Sequence, residues 1–222
     1  MEQEQFDVAI IGGGPAVQYF MLAADVIGKL DNLTKRRIAV IDPLAFQGGH
    51  LAQLSPAMSA SVPPSDFLEK FPNSPKFSSL LDTLEAQNLR GNGDRFPTFG
   101  TVVKFLQIFG EKIRRVLEEG HSEVKEETAT HIVYDSMSDE ARYTVHTKKG
   151  TDSHKLTASK LILATGIEEK KPDLGQNNSK VIYSSDILTE RGLAEIRKFI
   201  QENPQETIVI MGGGSSAFAV AD

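Results

Sequence analysis

With 222 residues, 40% of them hydrophobic, the chain is long enough to bury a substantial core in one large domain or two small ones. Its formal net charge is −6 at pH 7, and the acidic residues are spread along the chain, which disfavours nucleic-acid binding. Because the sequence contains no long apolar run and no basic leader, we expect a soluble, cytoplasmic protein that makes no membrane contacts. The chain has no cysteine, which excludes structural disulfides, cysteine metal centres and a redox-active cysteine pair, and none of its histidines forms a ligand pair at helical spacing, so we expect no metal site.

The N-terminal segment predicts a β–α–β unit. Residues 6–11 (FDVAII) are typical of a short buried strand, which the glycines and proline at 12–15 break before a helix that runs to about residue 29. After a loop at 31–35, a second strand is expected at 37–41. Two strands joined in this way are parallel neighbours, so the unit predicts the start of a parallel sheet.

The middle of the chain is less regular. A proline-rich segment at 43–76 predicts a long irregular excursion with a short helical turn at 66–71. A helix is expected at 79–89, started by a serine cap. The clearest helix covers 101–119, where apolar residues recur at helical spacing until Gly120 stops them.

The second half of the chain returns to strands. The elements expected there are a strand at 128–134, an antiparallel hairpin of 142–148 with 155–156, a buried strand at 160–164, a helix at 186–203 and a strand at 207–211. A second glycine cluster follows this last strand.

The first glycine cluster has the pattern Gly12-x-Gly14-x-x-Val17 between a strand and a helix. Such a turn lets the backbone approach a pyrophosphate, which the free amides and the positive end of the helix then bind. Asp42, at the end of the second strand, is placed to accept hydrogen bonds from ribose hydroxyls. Val17 stands where a third glycine is usual, so a tight glycine turn that binds nothing stays open as an alternative.

Three further segments carry a resemblance to a known family. They are Leu161-Ile162-Leu163-Ala164-Thr165-Gly166 with Pro172 beyond it, Gln47-Gly48-Gly49-His50-Leu51, and the terminal Gly212-x-Gly214-x-x-Ala217. Their order along residues 6–222 resembles the glutathione-reductase-like flavoproteins that bind two dinucleotides. Within that superfamily the chain resembles the flavin-dependent and N-hydroxylating monooxygenases, or the reductases without cysteine.

The resemblance implies a fold and a set of cofactor contacts. The fold is α/β: a Rossmann-like FAD-binding domain over 1–172, with a parallel sheet and a small antiparallel hairpin insertion, and a truncated NAD(P)-binding domain over 173–222. The implied FAD contacts are Gly12, Gly14, Pro15 and Ala16 at the pyrophosphate, Asp42 at the ribose, Gly49, His50 and Leu51 near the isoalloxazine or its ribityl chain, Ala129 at the adenine, and Thr165 and Gly166 at the border of the cofactor. The implied NAD(P)H pyrophosphate contacts are Gly212, Gly214, Ser215 and Ser216.

The implied function is that of an FAD-dependent oxidoreductase whose flavin is reduced by NAD(P)H, with monooxygenase-like chemistry on a small-molecule substrate. A cysteine-free NAD(P)H:acceptor reductase, an inactive flavoprotein-like binding module and an NAD-only dehydrogenase are the alternatives, and the hairpin insertion disfavours the last. No catalytic side chain is indicated, and a homo-oligomer is compatible with the sequence. Because little of the second domain is present, we expect this chain alone to bind FAD weakly or not at all, and not to turn over.

Overall fold

The computed structural model describes residues 4–91, 95–137, 142–166 and 181–210. The strands are β1 (Glu4–Ile11), β2 (Ile38–Ile41), β3 (Glu123–Lys125), β4 (Thr128–Tyr134), β5 (Tyr143–Lys149) and β6 (Asp152–Leu163). The α-helices are α1 (Pro15–Val26), α2 (Leu30–Thr34), α3 (Pro64–Leu68), α4 (Leu84–Arg90), α5 (Phe99–Glu119), α6 (Ser184–Ile187) and α7 (Glu190–Glu202). Short 3₁₀ helices lie at Gly49–Gln53, Phe71–Asn73 and Ser78–Asp82.

The strands form one mixed sheet in the order β3-β2-β1-β6-β5-β4. The first four are parallel neighbours, whereas β6, β5 and β4 pair in antiparallel fashion. Strand β6 belongs to both parts, because its C-terminal stretch pairs with β1 and its N-terminal stretch pairs with β5. The predicted α/β fold with a parallel sheet and an antiparallel hairpin is thereby confirmed, with one correction: the strands expected at 155–156 and 160–164 are a single strand.

Both faces of the parallel sheet are covered, which explains why residues 8–11 of β1 and all of β2 are apolar without alternation. On one face, Val8 and Ile10 pack with α1, α5 and the segment between β2 and α4, and these residues form the main cluster. On the other face, Ala9 and Ile11 pack with residues of β5 and β6, including the buried Val145, and these residues form the hairpin cluster. The antiparallel hairpin thus covers the face that has no long helix in the described residues.

Several local predictions need correction. In the excursion at 43–76, the short helical turn expected at 66–71 lies at Pro64–Leu68, and Phe71 and Phe77 are fully buried in the main cluster. The helix expected at 79–89 is a 3₁₀ turn followed by α4, and its cap is the hydroxyl of Thr83 rather than a serine. Residues 31–35, expected to form a loop, contribute to α2, which the buried Leu30 anchors. Strand β3 was not predicted, since three residues are too few to establish a period.

The C-terminal part of the structure also differs from the prediction. The helix expected at 186–203 is divided into α6 and α7, because Thr189 caps the second helix. The strand expected at 207–211 is absent over the described residues 207–210, where Ile208, Val209 and Ile210 are 44%, 76% and 41% exposed. A strand needs a neighbour to pair its amides and carbonyls, and the described residues provide none there. The domain boundary predicted near residue 172 lies outside the described residues and stays a prediction. Within the described ranges, no helix has both the length and the apolar composition needed to cross a bilayer.

Candidate functional site

The glycine turn lies at the carboxyl end of β1, where the sequence predicted it. Gly12 has a φ of +104°, and a Cβ there would lie 2.2 Å from the carbonyl oxygen of Ala164. Only glycine permits this conformation and this close approach. The first glycine therefore brings the turn against the end of β6, whose Ala164 amide donates to the Ile11 carbonyl at 2.8 Å.

The backbone amides of this turn differ in what they bind. The Gly12 amide donates to the Ile41 carbonyl at 2.9 Å, and the Gly13 amide donates to Asp42 Oδ2 at 2.9 Å. The Gly14 and Ala16 amides have no hydrogen-bond partner among the described residues, and Pro15 has no amide hydrogen to donate. Two donors are therefore free at the N-terminus of α1.

Val17 does not occupy the space above these amides. Its side chain is 2% exposed and belongs to the main core cluster, while its amide donates to the Gly14 carbonyl at 3.0 Å. The β-branched residue in the third glycine position is thus accommodated on the core side of α1. The first turn of α1 carries no acidic side chain, so the positive end of the helix is not neutralised by its own residues.

Asp42 follows β2 and lies next to the glycine turn, half-buried. One carboxylate oxygen accepts from Gly13 and the other accepts from the Leu44 amide at 2.7 Å. The predicted ribose ligand therefore also ties the glycine turn to the loop that follows β2. Each carboxylate oxygen can accept a second hydrogen bond, so this tie leaves room for a ribose hydroxyl.

The Gly48-Gly49 segment packs directly on the glycine turn. Both residues have positive φ angles, and a Cβ on Gly49 would lie 3.1 Å from Gly14 Cα and 3.1 Å from Pro15 Cδ. The 3₁₀ helix that begins at Gly49 carries His50, which is exposed, and Leu51, which is half-buried against the main cluster. A cavity of about 400 Å³ adjoins this helix and is also lined by the first turns of α5 and α7.

Five of the eleven predicted FAD contacts lie together. Hydrogen bonds and the close approaches given above link Gly12, Gly14, Pro15, Asp42 and Gly49.

The remaining predicted contacts lie around or away from this group. Ala16 follows the turn and is exposed, and Thr165 and Gly166 are exposed beyond the end of β6. Ala129 is separate, on β4 opposite Thr147, where it packs with the hairpin cluster. The four residues predicted to bind NAD(P)H, Gly212, Gly214, Ser215 and Ser216, lie outside the described residues.

Sequence reasoning missed three residues that shape this site. Gln18 is completely buried, Phe46 has a φ of +65°, and Gly110 lies in the middle of α5 against both of them. The one available signal was Gly110, because a glycine within a long amphipathic helix usually has a packing reason.

Comparison with known proteins gives three findings. A family model described as pyridine nucleotide-disulphide oxidoreductase matches residues 6–222. The CMP-5′-(3-aminopropyl)phosphonate hydroxylase of Streptomyces rubellomurinus is 26% identical over 236 residues, which cover 97% of this chain and 51% of that protein. The structure of the FAD-bound cadaverine monooxygenase of desferrioxamine biosynthesis in Erwinia amylovora matches with a TM-score of 0.66 and 17% identity, over 98% of this chain and 47% of that one.

The chain thus spans about half the length of these relatives, with 51% of one and 47% of the other covered. At 17% identity, the likeness to the monooxygenase structure concerns the fold. Because the chain has no cysteine, none of its residues can form the redox disulfide to which the family description refers.

Proposed function

The chain belongs to the pyridine nucleotide-disulphide oxidoreductase family, and we propose that it forms the FAD-binding part of an oxidoreductase whose flavin is reduced by NAD(P)H and then used to oxygenate a small molecule. One observation carries the FAD part of this proposal. Segments around Gly12, Gly49 and Ala164, far apart in the sequence, meet at the end of β1 beside two amides that have no acceptor within the described ranges.

The residues present fit a dinucleotide. Among the described residues, a Cβ built on Gly14 would have Gly49 Cα, at 3.7 Å, as its nearest heavy atom, so none of them crowds the surface at Gly14. Backbone amides at a helix N-terminus favour a diphosphate, because they donate hydrogen bonds without presenting a competing side chain. The Gly14 and Ala16 amides would hold that diphosphate, and Asp42 would accept from the adenosine ribose.

When bound, FAD supplies the hydride acceptor and the oxygen chemistry, which side chains lack. The protein's part is to bind and orient the cofactor and to keep water from the reacting positions. Leu51, half-buried beside the apolar lining of the neighbouring cavity, belongs to the segment that would line the flavin end.

The finer proposal concerns the substrate. The two relatives are named for substrates that carry a primary amine, an aminopropyl phosphonate and cadaverine. We infer that the whole protein transfers one oxygen atom to the nitrogen of a small amine. The overall reaction would consume NAD(P)H, a proton and O₂ and would yield a hydroxylamine, water and NAD(P)⁺.

Cofactor binding is tested first, by titrating the purified chain with FAD, FMN and NAD⁺ in a calorimeter and recording the visible spectrum. The proposal expects saturable binding of FAD in preference to the other two. Preference for NAD⁺ would instead favour the NAD-only dehydrogenase. With FAD at millimolar concentration, the absence of heat and of a spectral change both in this chain and in the protein at the length of its relatives would contradict the flavin assignment.

The oxygenation step is tested in the protein at the length of its relatives. With NADPH or NADH and a panel of small diamines and amino acids, we expect amine-dependent NAD(P)H oxidation that is matched by hydroxylamine formation. NAD(P)H oxidation coupled to an added quinone or dye, without hydroxylamine, would favour the reductase alternative.

A further inference from the structure

Phe46 has an unusual backbone conformation in the loop between Asp42 and the Gly48-Gly49 segment. Its φ of +65° lies in the left-handed region, which a bulky L-residue rarely adopts without constraint. The residue is 2% exposed, and its amide donates to the Gly13 carbonyl at 3.0 Å. The loop is therefore fixed to the glycine turn just before the Gly48-Gly49 segment begins.

Gln18, one turn into α1, holds the other side of Phe46. Its side chain is 0% exposed, and Nε2 donates to the Leu106 carbonyl at 2.9 Å and to the Phe46 carbonyl at 3.5 Å. Its Oε1 is buried without a hydrogen-bond partner among the described residues. An unpartnered amide oxygen in a core is unfavourable, so packing alone would select an apolar side chain here. The two hydrogen bonds of Nε2 are what a glutamine adds at this position.

Gly110 completes the arrangement from α5. A Cβ there would lie 2.4 Å from Phe46 Cβ, 2.5 Å from the Phe46 carbonyl oxygen and 2.8 Å from Gln18 Nε2. Helix α5 can therefore approach Phe46 only because this position has no side chain. Three elements, α1, α5 and the glycine turn, together determine the conformation of one loop residue.

We propose that Gln18 is a positioning residue for the flavin half of the cofactor, acting through Phe46. By holding the Phe46 carbonyl, it positions the Gly48-Gly49 segment against Gly14 and Pro15 and so sets how closely the two glycine segments approach each other. This inference rests on the proposed FAD binding. The adenosine half of FAD would depend on the glycine turn and Asp42, whereas the flavin half would depend on the segment that Gln18 positions.

The test compares FAD with ADP, which is the half of FAD without the flavin. In Gln18→Met, a side chain of similar length keeps the packing and removes both donated hydrogen bonds together with the unpartnered oxygen, so the variant should unfold at nearly the wild-type urea concentration. We expect its FAD affinity to fall by about tenfold, which is the size of one or two lost hydrogen bonds. Its ADP affinity should change by less than about twofold.

Two variants separate positioning from general loss of stability. Gly110→Ala retains the glutamine but pushes from α5 on both Phe46 and Gln18 Nε2, so it should likewise weaken FAD binding more than ADP binding. Gly28→Ala is the control: its φ of +66° makes alanine unfavourable, but no atom lies within 4 Å of the added Cβ. It should lower stability and leave the FAD-to-ADP ratio unchanged.

Hydrogen exchange in the unmodified protein gives a readout that does not depend on a variant folding. FAD should slow exchange in residues 47–53 beyond the protection that ADP gives there. Equal losses of FAD and ADP affinity in Gln18→Met, or equal protection of 47–53 by both ligands, would overturn the inference. If neither the wild-type chain nor the protein at the length of its relatives binds either ligand, the FAD proposal itself has failed.

Discussion

Gly12 and Gly14 are predicted to respond in opposite ways to a single added methyl group. At Gly12, alanine would adopt a φ of +104° and place Cβ 2.2 Å from the Ala164 carbonyl oxygen. The left-handed backbone and the clash with a main-chain atom should together destabilise the fold by about 3 kcal/mol or more. This loss should occur whether or not a ligand is present.

At Gly14 the same change should leave the fold intact. Its φ of −77° and ψ of −172° suit any L-residue, and the nearest atom to the added Cβ is Gly49 Cα at 3.7 Å. Alanine at an N-cap costs about 0.5–1 kcal/mol, which is offset by about 0.4–1 kcal/mol because the unfolded chain becomes less flexible. The stability of Gly14→Ala should therefore lie within about 1 kcal/mol of wild type.

Ligand affinity, unlike stability, should be strongly affected in Gly14→Ala. The methyl group of Gly14→Ala would stand between the free amides and a diphosphate, so FAD and ADP affinity should both fall by at least about tenfold, or ~1.4 kcal/mol. Urea unfolding followed by circular dichroism measures the first quantity, and calorimetric titration measures the second. Wild-type affinity in a folded Gly14→Ala would refute the reasoning, since the diphosphate could not then lie over these amides.

Three further predictions concern stability. Asp25 is 5% exposed and accepts from Ser74 Oγ at 2.5 Å and from the Lys76 amide at 2.9 Å. Asp25→Ala leaves both donors without this acceptor and should lower the free energy of unfolding, measured in urea, by about 3 kcal/mol; a loss below about 1 kcal/mol would contradict this. Burial raises the pKa of Tyr19 well above its ordinary value of 10.0, so the folded phenol stays protonated while the unfolded one ionises, and stability should fall as the pH rises above 10.0. Tyr19→Phe loses the 2.8 Å hydrogen bond to the Phe67 carbonyl but should have a shallower alkaline slope, measured by urea unfolding between about pH 9 and pH 12; an unchanged slope would argue against the shift. Burial opposes the charge of Lys125, but hydrogen bonds to the glutamates of β1 and β3 outweigh this effect and raise the pKa of Lys125 above 10.5. The stabilisation of the fold by these bonds is therefore complete below pH 10.5 and is lost above that value. Lys125→Met should therefore be less stable than wild type by up to about 1 kcal/mol at pH 7. This difference in stability should shrink above pH 10.5. A difference that stays constant with pH would instead indicate a packing effect.

Local patterns in the sequence predicted the scaffold of the candidate site. The apolar run before Gly12 defines β1, the break at Pro15 starts α1, and the period of residues 101–119 defines α5 within two residues of its observed start. These features depend on neighbours within one or two turns of the chain, so a linear pattern contains them. Asp42 follows the second strand as predicted, and the structure adds that it bonds to the glycine turn, because parallel strands end at the same edge of a sheet.

Composition could not predict how the segment at 43–76 packs. Its prolines indicated irregular structure, yet Phe71 and Phe77 are completely buried against α5. Burial of an aromatic ring in an irregular segment depends on which helix lies opposite, and no periodicity records that.

The sequence by itself determined that a β–turn–α unit with a glycine turn lies at the N-terminus, since each residue there acts on its immediate neighbours. Only the tertiary structure decided that Gly49 would touch Gly14, that Val17 would face the core, and that Gln18 and Gly110 would hold Phe46 in a left-handed conformation. These contacts join residues up to 92 positions apart, as between Gln18 and Gly110, and they exist only because the sheet and two helices bring distant backbones to within van der Waals distance.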